Sequence, residues 1–356
     1  MLRRTFLQTA AAGAVAQARP APAAQIKLGI DPYSIRDWRW RALDLLQYAS
    51  NLKLDAIQFS SMGDYESLEP AHLQKVKDQA ERLGIQIDAG VGCICPTSKA
   101  WSPAQGDPRE YILKGLNVAR AVGAKAMRCF LGSGADRPIE AHIETTVKLL
   151  RSVRSEALDA DVKIAIENHS GDMQAWETRM LIEEAGKDFV GCCLDMGNPL
   201  WVVEDPMVSL EVLAPYVVTT HFRDSVVYEH PRGAAAQWVA MGDGSLDLRA
   251  LVARYRELCP GAAMQLEIIT GRPPQVLPYF EPEFWKTFPK ARASEFARFV
   301  ALAKAGHPFM GTMVVAGPGR QTPEIQAALK QQQRRDLERS LDYAKKVLDV
   351  GVRWRS

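Results

Sequence analysis

The segment Lys163-Ile-Ala-Ile-Glu167 is a short apolar run that ends in a carboxylate, and three more short runs end in a carboxylate or an imidazole. The other segments are Cys192-Cys-Leu-Asp195, Val218-Thr-Thr-His221 and Met264-Gln-Leu-Glu267. Short runs of this composition are typical of buried strands. Singly, each terminal residue reads as an ordinary loop or capping residue. If the strands are parallel neighbours, however, Glu167, Asp195, His221 and Glu267 can converge on one side of a sheet or barrel.

Strand-like runs alternate with amphipathic helical patterns over the rest of the chain. The predicted strands are Ile26–Asp31, Leu54–Phe59, Ile85–Val91, Ala124–Phe130, Val162–Glu167, Val190–Asp195, Tyr216–Phe222 and Ala262–Ile269. The predicted helices include Ala42–Leu52, Pro70–Leu83, Arg109–Val122, Ile139–Leu158 and Leu246–Leu258. Eight such repeats indicate an α/β fold of the (β/α)8 TIM barrel type. The alternative is a doubly wound open sheet, but the glycine fingerprint that often follows its first strand is absent.

The four strand-end residues suit a divalent metal ion. Three carboxylates and one imidazole favour Mn, with Mg, Co or Zn as alternatives, whereas thiolates would indicate a structural zinc site. Glu267 has apolar residues on both sides, and an unpaired buried carboxylate costs several kcal/mol. A metal or another cation removes that cost. We therefore expect one divalent ion per chain.

The composition describes a globular protein without a nucleic-acid partner. The chain has 356 residues, of which 47% are hydrophobic and 24% are charged, and its formal net charge is +2. Nucleic-acid binding usually requires a concentrated basic surface, and this charge balance gives no reason to expect one. The length allows a single barrel domain over residues 25–356.

Residues 1–24 resemble a twin-arginine signal peptide. Arg3-Arg4-Thr5-Phe6-Leu7-Gln8 precedes a weakly apolar run and the small-residue sequence Ala16-Gln17-Ala18. The apolar run is too short to span a bilayer, which takes about 20 residues. These features predict periplasmic or secreted localisation, the twin-arginine export machinery as a partner and no stable membrane anchor. The alternative is an untranslocated basic N-terminus.

Two further features concern the cysteines and the end of the barrel. Most of the six cysteines lie in or beside apolar runs, so we expect buried reduced thiols. Residues 270–322 interrupt the repeat with many prolines and aromatic residues before a closing helix at Arg334–Leu348. A connection of this length is usually functional or disordered. We predict an ordered lid or a homo-oligomer contact, with a helix at Ala293–Ala305.

Five motifs together resemble one known superfamily. They are Glu167-Asn168-His169, Asp195-Met-Gly-Asn198, His221-Phe-Arg-Asp224, Gly242-Asp-Gly244 and Glu267. This set resembles the xylose isomerase-like barrels, and within them the sugar phosphate isomerase/epimerase group that includes D-tagatose 3-epimerase and L-ribulose-5-phosphate 3-epimerase. The resemblance covers residues 26–270 and the last helix.

The resemblance implies specific roles for the strand-end residues. It implies that Glu167, Asp195, His221 and Glu267 bind the metal, and that the two glutamates exchange protons with the reacting carbon as catalytic acid and base. The D-tagatose 3-epimerase type has a histidine where this chain has Asn198, so substrate handling differs. The DNA-repair branch of the superfamily needs more histidines, and this chain has only six.

Other polar residues at strand ends are candidates for substrate binding. For Arg128 and Arg223 the alternative is an internal ion pair with Asp31 or Asp224, and for His169 it is a loop histidine. The candidates are Asp31, Gln58, Arg128, Asn168, His169, Asn198 and Arg223.

Three functions remain open from the sequence. The leading hypothesis is a metal-dependent isomerase or epimerase that acts on a ketose or keto-sugar through an enediolate. The alternative is a lyase or dehydratase that begins with the same proton abstraction on a keto-sugar, keto-glycoside or inosose. A non-catalytic sugar-binding barrel is the third, and the presence of all four metal ligands argues against it.

Overall fold

The computed structural model describes residues 25–317 and 319–355, so the predicted signal peptide lies outside the described residues. The main sheet has eight parallel strands in the order β10-β1-β2-β3-β4-β5-β6-β7. Its strands are β1 Leu28–Ile30, β2 Ala56–Phe59, β3 Gln86–Cys93, β4 Ala126–Phe130, β5 Lys163–Glu167, β6 Val190–Asp195, β7 Val217–His221 and β10 Met264–Leu266. All eight predicted strands are present, several with shorter bounds.

The sheet closes into a barrel between its last strand and its two neighbours. Strand β10 pairs with β1 through Leu28 and Met264. On its other side, the amide of Phe222 donates to the carbonyl of Gln265 at 2.8 Å, and the amide of Glu267 donates to the carbonyl of Phe222 at 3.1 Å. The predicted TIM barrel is therefore confirmed.

Helices follow the strands and cover the outside of the barrel. Helix α2 illustrates the local signals, since it begins with Pro70 and ends at Gly84, whose φ of 64° only glycine adopts easily. The helices are α1 Ala42–Asn51, α2 Pro70–Leu83, α3 Pro108–Ala121, α4 Glu140–Arg151, α5 Arg154–Ala160, α6 Ala175–Ala185, α7 Pro206–Leu213, α8 Leu248–Leu258, α9 Pro282–Trp285, α10 Ala293–Ala305 and α11 Pro323–Lys346. Among the described residues, no helix combines the length and hydropathy needed to cross a membrane.

Two helix predictions differ from the structure. The single helix predicted at Ile139–Leu158 is two helices, α4 and α5, because Val153 leaves the helical conformation at φ −116° and ψ 12°. Its side chain is fully buried, so the break lets Val153 reach the core. The closing helix begins at Pro323 instead of Arg334, and the Thr322 hydroxyl caps it by accepting from the amide of Ile325.

A second, three-stranded sheet lies beside the barrel and was not predicted. Strands β8 Asp224–His230 and β9 Gly233–Val239 form an antiparallel hairpin, and β11 Gln275–Leu277 pairs with β9. Side chains of this sheet and of α9 and α10 form a separate apolar cluster. Residues 270–322 therefore contain ordered elements, including the predicted helix at Ala293–Ala305.

The six cysteines, all in the described part of the chain, are buried free thiols. This agrees with the expectation of reduced, buried side chains.

Candidate metal centre

The barrel brings the four predicted ligands together. Glu167 ends β5, Asp195 ends β6, His221 ends β7 and Glu267 directly follows β10. The four side chains are buried, and their ligand atoms all lie within 4.8 Å of one another. Because the strands are parallel and neighbouring, their carboxyl ends meet at one rim, as in other barrels of this type.

His221 has one imidazole nitrogen directed at the carboxylates. Its Nδ1 lies 3.4 Å from Glu167 Oε1, 3.5 Å from Glu267 Oε2 and 3.8 Å from Asp195 Oδ2. This nitrogen is buried and has no hydrogen-bond partner among the described residues. An unpartnered buried nitrogen facing three carboxylate oxygens fits a divalent cation, which neutral imidazole and carboxylates bind together.

The other nitrogen of His221 is held from behind. Its Nε2 lies 2.5 Å from Gln58 Oε1 and 3.1 Å from Asp31 Oδ2. Metal-binding histidines usually donate their second N–H to such an acceptor, which fixes the tautomer and the ring orientation. The structure thus places Asp31 and Gln58 behind the imidazole. Neither lines the cavity described below.

Two buried arginines balance the charge of the carboxylates. Arg128 pairs with Glu167, and Arg223 pairs with both Asp195 and Glu267. The predicted internal ion pairs therefore exist, but with the metal ligands instead of Asp31 or Asp224. Both arginines also line the cavity, so their predicted contact with substrate stays open.

Gly197 gives Arg223 the space to reach the carboxylates. A Cβ atom at position 197 would lie 2.2 Å from Arg223 Cγ and 2.4 Å from Cδ, far inside van der Waals contact. Packing against Arg223 therefore explains why the third residue of the Asp195-Met-Gly-Asn198 motif is glycine.

The four ligands perturb one another's ionisation. Burial alone would raise the pKa of Glu167, but the charges of Arg128 and then His221 hold that pKa well below its usual range. Burial raises the pKa of Asp195 and of Glu267, against the effect of Arg223. Burial would lower the pKa of His221, yet Glu267 and Glu167 raise it well above its usual value. A divalent cation competes with this proton for the imidazole.

The two asparagines of the motifs make different contacts. Asn168 bonds twice to the backbone of Asp195, donating to its carbonyl at 2.9 Å and accepting from its amide at 2.8 Å. Asn198 donates to Glu167 Oε1 at 3.2 Å, while its own Oδ1 is buried and has no partner in the part of the chain that the structure describes. Asn198 lines the cavity and has a free acceptor, whereas Asn168 is occupied in holding β6.

A cavity of about 900 Å³ opens above the four ligands. Glu267 reaches its floor, and one wall is formed by His169 stacked on Phe130 with ring centroids 4.2 Å apart. The lining also includes Trp201 stacked on Trp238, with centroids 4.1 Å apart. This size falls within the range of roughly 300–1,000 Å³ that is usual for small-molecule sites.

The segment after strand β10 forms part of the cavity wall. Residues Arg272 to Val276 line it, and Gln275 Oε1 accepts a hydrogen bond from the Trp201 indole at 2.8 Å. Whether residues 270–322 close over the site or contact another copy stays a prediction.

Sequence reasoning did not single out Trp201, Trp238 or Asp88 as parts of this region. The two tryptophans lie outside the strand-end motifs, and only the hairpin β8–β9 brings them together. Asp88 offered a signal, because a carboxylate in the middle of an apolar strand is a poor fit to a buried position unless it has partners.

Comparison with known proteins places the chain in a family. Residues 46–286, more than half of the chain, match the family described as xylose isomerase-like TIM barrel. The chain belongs to this family. Among curated proteins, it is 23% identical over 209 residues to a 3-oxo-isoapionate decarboxylase of Pectobacterium atrosepticum. The aligned region covers 58% of this chain and 70% of that protein.

Solved structures of this family share the fold at low identity. A D-psicose 3-epimerase in the presence of D-fructose gives a TM-score of 0.58 at 13% identity, with 91% of this chain and 99% of that chain covered. The IOLI protein with a bound zinc atom gives 0.55 at 15% identity, with 78% and 95% covered. These likenesses extend the barrel architecture to nearly the whole chain.

Proposed function

We propose that this protein is a divalent-metal-dependent isomerase or epimerase of a ketose or keto-sugar. The observation that carries the proposal is the pair Glu167 and Glu267, whose carboxylates lie 3.4 and 3.5 Å from the free nitrogen of His221. Two carboxylates at a metal centre below a cavity could remove a proton from one carbon of a substrate and return a proton to it. The D-psicose 3-epimerase that shares the fold supports this reading.

The chemistry follows from the weakness of the carbon acid. Glu167, Asp195, His221 and Glu267 would hold a divalent ion, which would supply Lewis-acid stabilisation of charge that develops on the substrate carbonyl oxygen. One glutamate removes the proton from the carbon beside that carbonyl, and the other returns a proton to the enediolate. Arg223 and Arg128 hold the carboxylates in place through their ion pairs.

The cavity supports a carbohydrate substrate. Its walls combine flat aromatic faces, such as Trp238 and Phe130, with polar groups that include the free Oδ1 of Asn198. Sugar rings present C–H faces and hydroxyl groups, which these two kinds of surface complement. For the metal we propose Mn²⁺, with Mg, Co or Zn as alternatives; the zinc atom in the IOLI protein shows that the fold accepts such an ion.

A lyase is the second candidate. The 3-oxo-isoapionate decarboxylase relative favours it, because a decarboxylase is a lyase: it releases carbon dioxide and leaves an enolate that is then protonated. A dehydratase would share the proton abstraction with an epimerase and differ only after the enediolate has formed, whereas a decarboxylase would form that anion by loss of carbon dioxide.

Proton NMR in deuterated water tests the proposal and separates the candidates. Purified protein loaded with Mn²⁺ is incubated with ketohexoses and with 3-keto-glycosides, and the metal is then removed before spectra are taken. An epimerase gives a stereoisomer that carries deuterium at one carbon. A lyase gives an unsaturated or shortened product, and no exchange with any of these substrates would contradict both candidates.

We further propose export through the twin-arginine pathway to the periplasm or the medium. The proposal rests on the Arg3-Arg4 motif and the short apolar run that follows it.

A further inference from the structure

A hydrogen-bonded chain runs from the metal centre into the interior of the barrel. His221 Nε2 contacts Gln58 Oε1 at 2.5 Å, and Gln58 Nε2 donates to Thr219 Oγ1 at 2.6 Å. The Thr219 hydroxyl then donates to Asp88 Oδ2 at 2.7 Å. Strands β7, β2 and β3 supply these residues, so the chain crosses the barrel between strands that are far apart in sequence.

The direction of every bond in this chain is set at Asp88. A carboxylate only accepts hydrogen bonds, and Asp88 also accepts from Gln265 Nε2 and from Gln86 Nε2, each at 3.1 Å. The Thr219 hydroxyl must therefore donate to Asp88 and accept from the amide of Gln58. That amide then presents its oxygen to His221, which donates from Nε2.

The four members are shielded from water. Gln58, Thr219 and His221 have no exposed surface, and Asp88 is 2% exposed. In such surroundings a mismatched donor or acceptor finds no water to pair with, so the bond directions are strongly enforced.

We propose that Asp88 is a positioning residue which, through Thr219 and Gln58, keeps the proton of His221 on Nε2 and leaves Nδ1 to bind the metal. The inference rests on the proposed function for the presence of the metal. Without the chain, Gln58 can turn its amide and present N–H groups to Nε2. His221 then keeps its proton on Nδ1, where it faces the carboxylates and cannot bind a metal ion.

Asp31 Oδ2 also lies 3.1 Å from Nε2, and a carboxylate there favours a proton on that nitrogen although the contact lacks hydrogen-bond geometry. The other oxygen, Oδ1, accepts from the amide of Tyr33 at 2.7 Å and from the Ser60 hydroxyl at 3.1 Å. The presence of Asp31 limits the effect of losing the chain, so we expect a value near the lower end of the 10- to 100-fold range that is usual for such outer contacts.

The test compares Thr219→Val with Thr220→Val. Valine at 219 cannot accept from Gln58 or donate to Asp88. Thr220 is the matched control. Successive side chains of a strand point to opposite faces, so the Thr220 hydroxyl lies away from Asp88 and donates to the carbonyl of Ala263 at 2.8 Å. Mn²⁺ affinity is measured by EPR titration, and the protonation of His221 by ¹H–¹⁵N correlation of histidine-labelled, zinc-loaded protein.

We expect Thr219→Val to weaken Mn²⁺ binding about tenfold and to lose the Nε2–H signal of His221, while Thr219→Ser restores both. Thr220→Val should bind Mn²⁺ like the wild type. Asp88→Ala removes the acceptor of the Thr219 hydroxyl and gives a second variant with the same expectation if Thr219→Val does not fold.

Three outcomes would overturn the inference. The first is unchanged affinity and an unchanged histidine spectrum in Thr219→Val or Asp88→Ala, and the second is an equal loss in Thr220→Val. Both contradict the positioning role alone. Wild-type protein that binds neither Mn²⁺ nor Zn²⁺ contradicts the proposed function as well. Metal binding without isomerase activity leaves the positioning role intact and contradicts only the proposed reaction.

Discussion

The first and second halves of the barrel contribute different things to the same centre. The second half, β5 to β7 and β10, delivers all four proposed ligands at its strand ends. The first half, β1 to β4, delivers no ligand but several of the groups that hold the ligands, and Arg223 after β7 adds another. The supporting residues of the first half are Asp31, Gln58, Asp88 and Arg128.

This difference shows that a buried charged centre needs supporting residues as well as ligands. A buried carboxylate is stable only with a partner, and a buried imidazole binds metal only in the right tautomer. Substitutions of one residue in each half test this division of roles.

The largest expected effect is on stability and comes from the supporting half. Arg128→Met leaves Glu167 buried without its cation, and removing one partner of a buried ion pair costs about 3–5 kcal/mol. Urea unfolding in the presence of a chelator measures the free energy of unfolding. Added Mn²⁺ should recover part of the loss, because it restores positive charge next to Glu167. A loss that is small and independent of the metal would show that Glu167 does not depend on Arg128.

The next effect is on catalysis and comes from the ligand half. Glu167→Gln and Glu267→Gln each keep an oxygen near the centre but remove the group that carries the proton. Each should lower kcat by at least about a hundredfold, the usual scale for general acid–base catalysis. Glu211→Gln on the exposed side of helix α7 is the control. If either variant exchanges the substrate proton at the wild-type rate, that glutamate does not act on the proton.

A third prediction compares two buried glutamates with and without a cation. Glu204, unlike Glu167, is bonded only to the amide of Ala175 and the hydroxyl of Ser209, and burial raises its pKa to about 8. The folded state therefore holds this proton more tightly than the unfolded state. Stability should fall as pH rises from about 4.5 towards 8, by at most about 1.4 kcal/mol per pH unit.

Chemical unfolding of the wild type and of Glu204→Gln at pH 6 and pH 7 measures this contribution. The variant should lose less stability between the two values than the wild type does. Equal changes in both proteins would mean that Glu204 is ionised in the folded state at pH 6.

The smallest effect concerns an exposed ion pair next to the strand that carries Arg128. Lys125, just before β4, lies 2.6 Å from Asp161, but the two side chains are 74% and 83% exposed. Lys125→Met should leave the unfolding curve unchanged within error, since exposed pairs contribute little. Lys125→Met and Arg128→Met each remove one positive charge, so the difference in their effects on stability measures the contribution of burial. A large loss at Lys125 would undermine the argument made for Arg128.

The sequence predicted the barrel and the ligand set better than it predicted their surroundings. The eight strands and the convergence of Glu167, Asp195, His221 and Glu267 were predictable, because each ligand ends an apolar run and parallel strands end at one rim. Gln58 and Asp31 were expected near the substrate, but the structure places them behind His221. A strand pattern gives the face of a side chain, whereas its depth in the barrel depends on closure.

The hairpin β8–β9 was missed for a related reason. Ala234-Ala-Ala236 in its second strand has low strand propensity, and the strand forms because β8 and β11 pair with it on both sides. The two-residue connection at Pro231-Arg232 was the available signal. Without the hairpin, the stack of Trp201 on Trp238 could not be anticipated.

Because Gly197 lies so close to Arg223, the residues that each of these two positions can accept depend on each other. Arg223 is fixed at its far end by Asp195 and Glu267, so it cannot swing away from a larger residue at 197. Gly197→Ala should therefore be harmful beside arginine and tolerated beside a short residue at 223, a non-additive pair in the usual sense. A lineage can therefore replace the glycine only after, or together with, the arginine, so position 197 is closed to larger residues for as long as the arginine is kept.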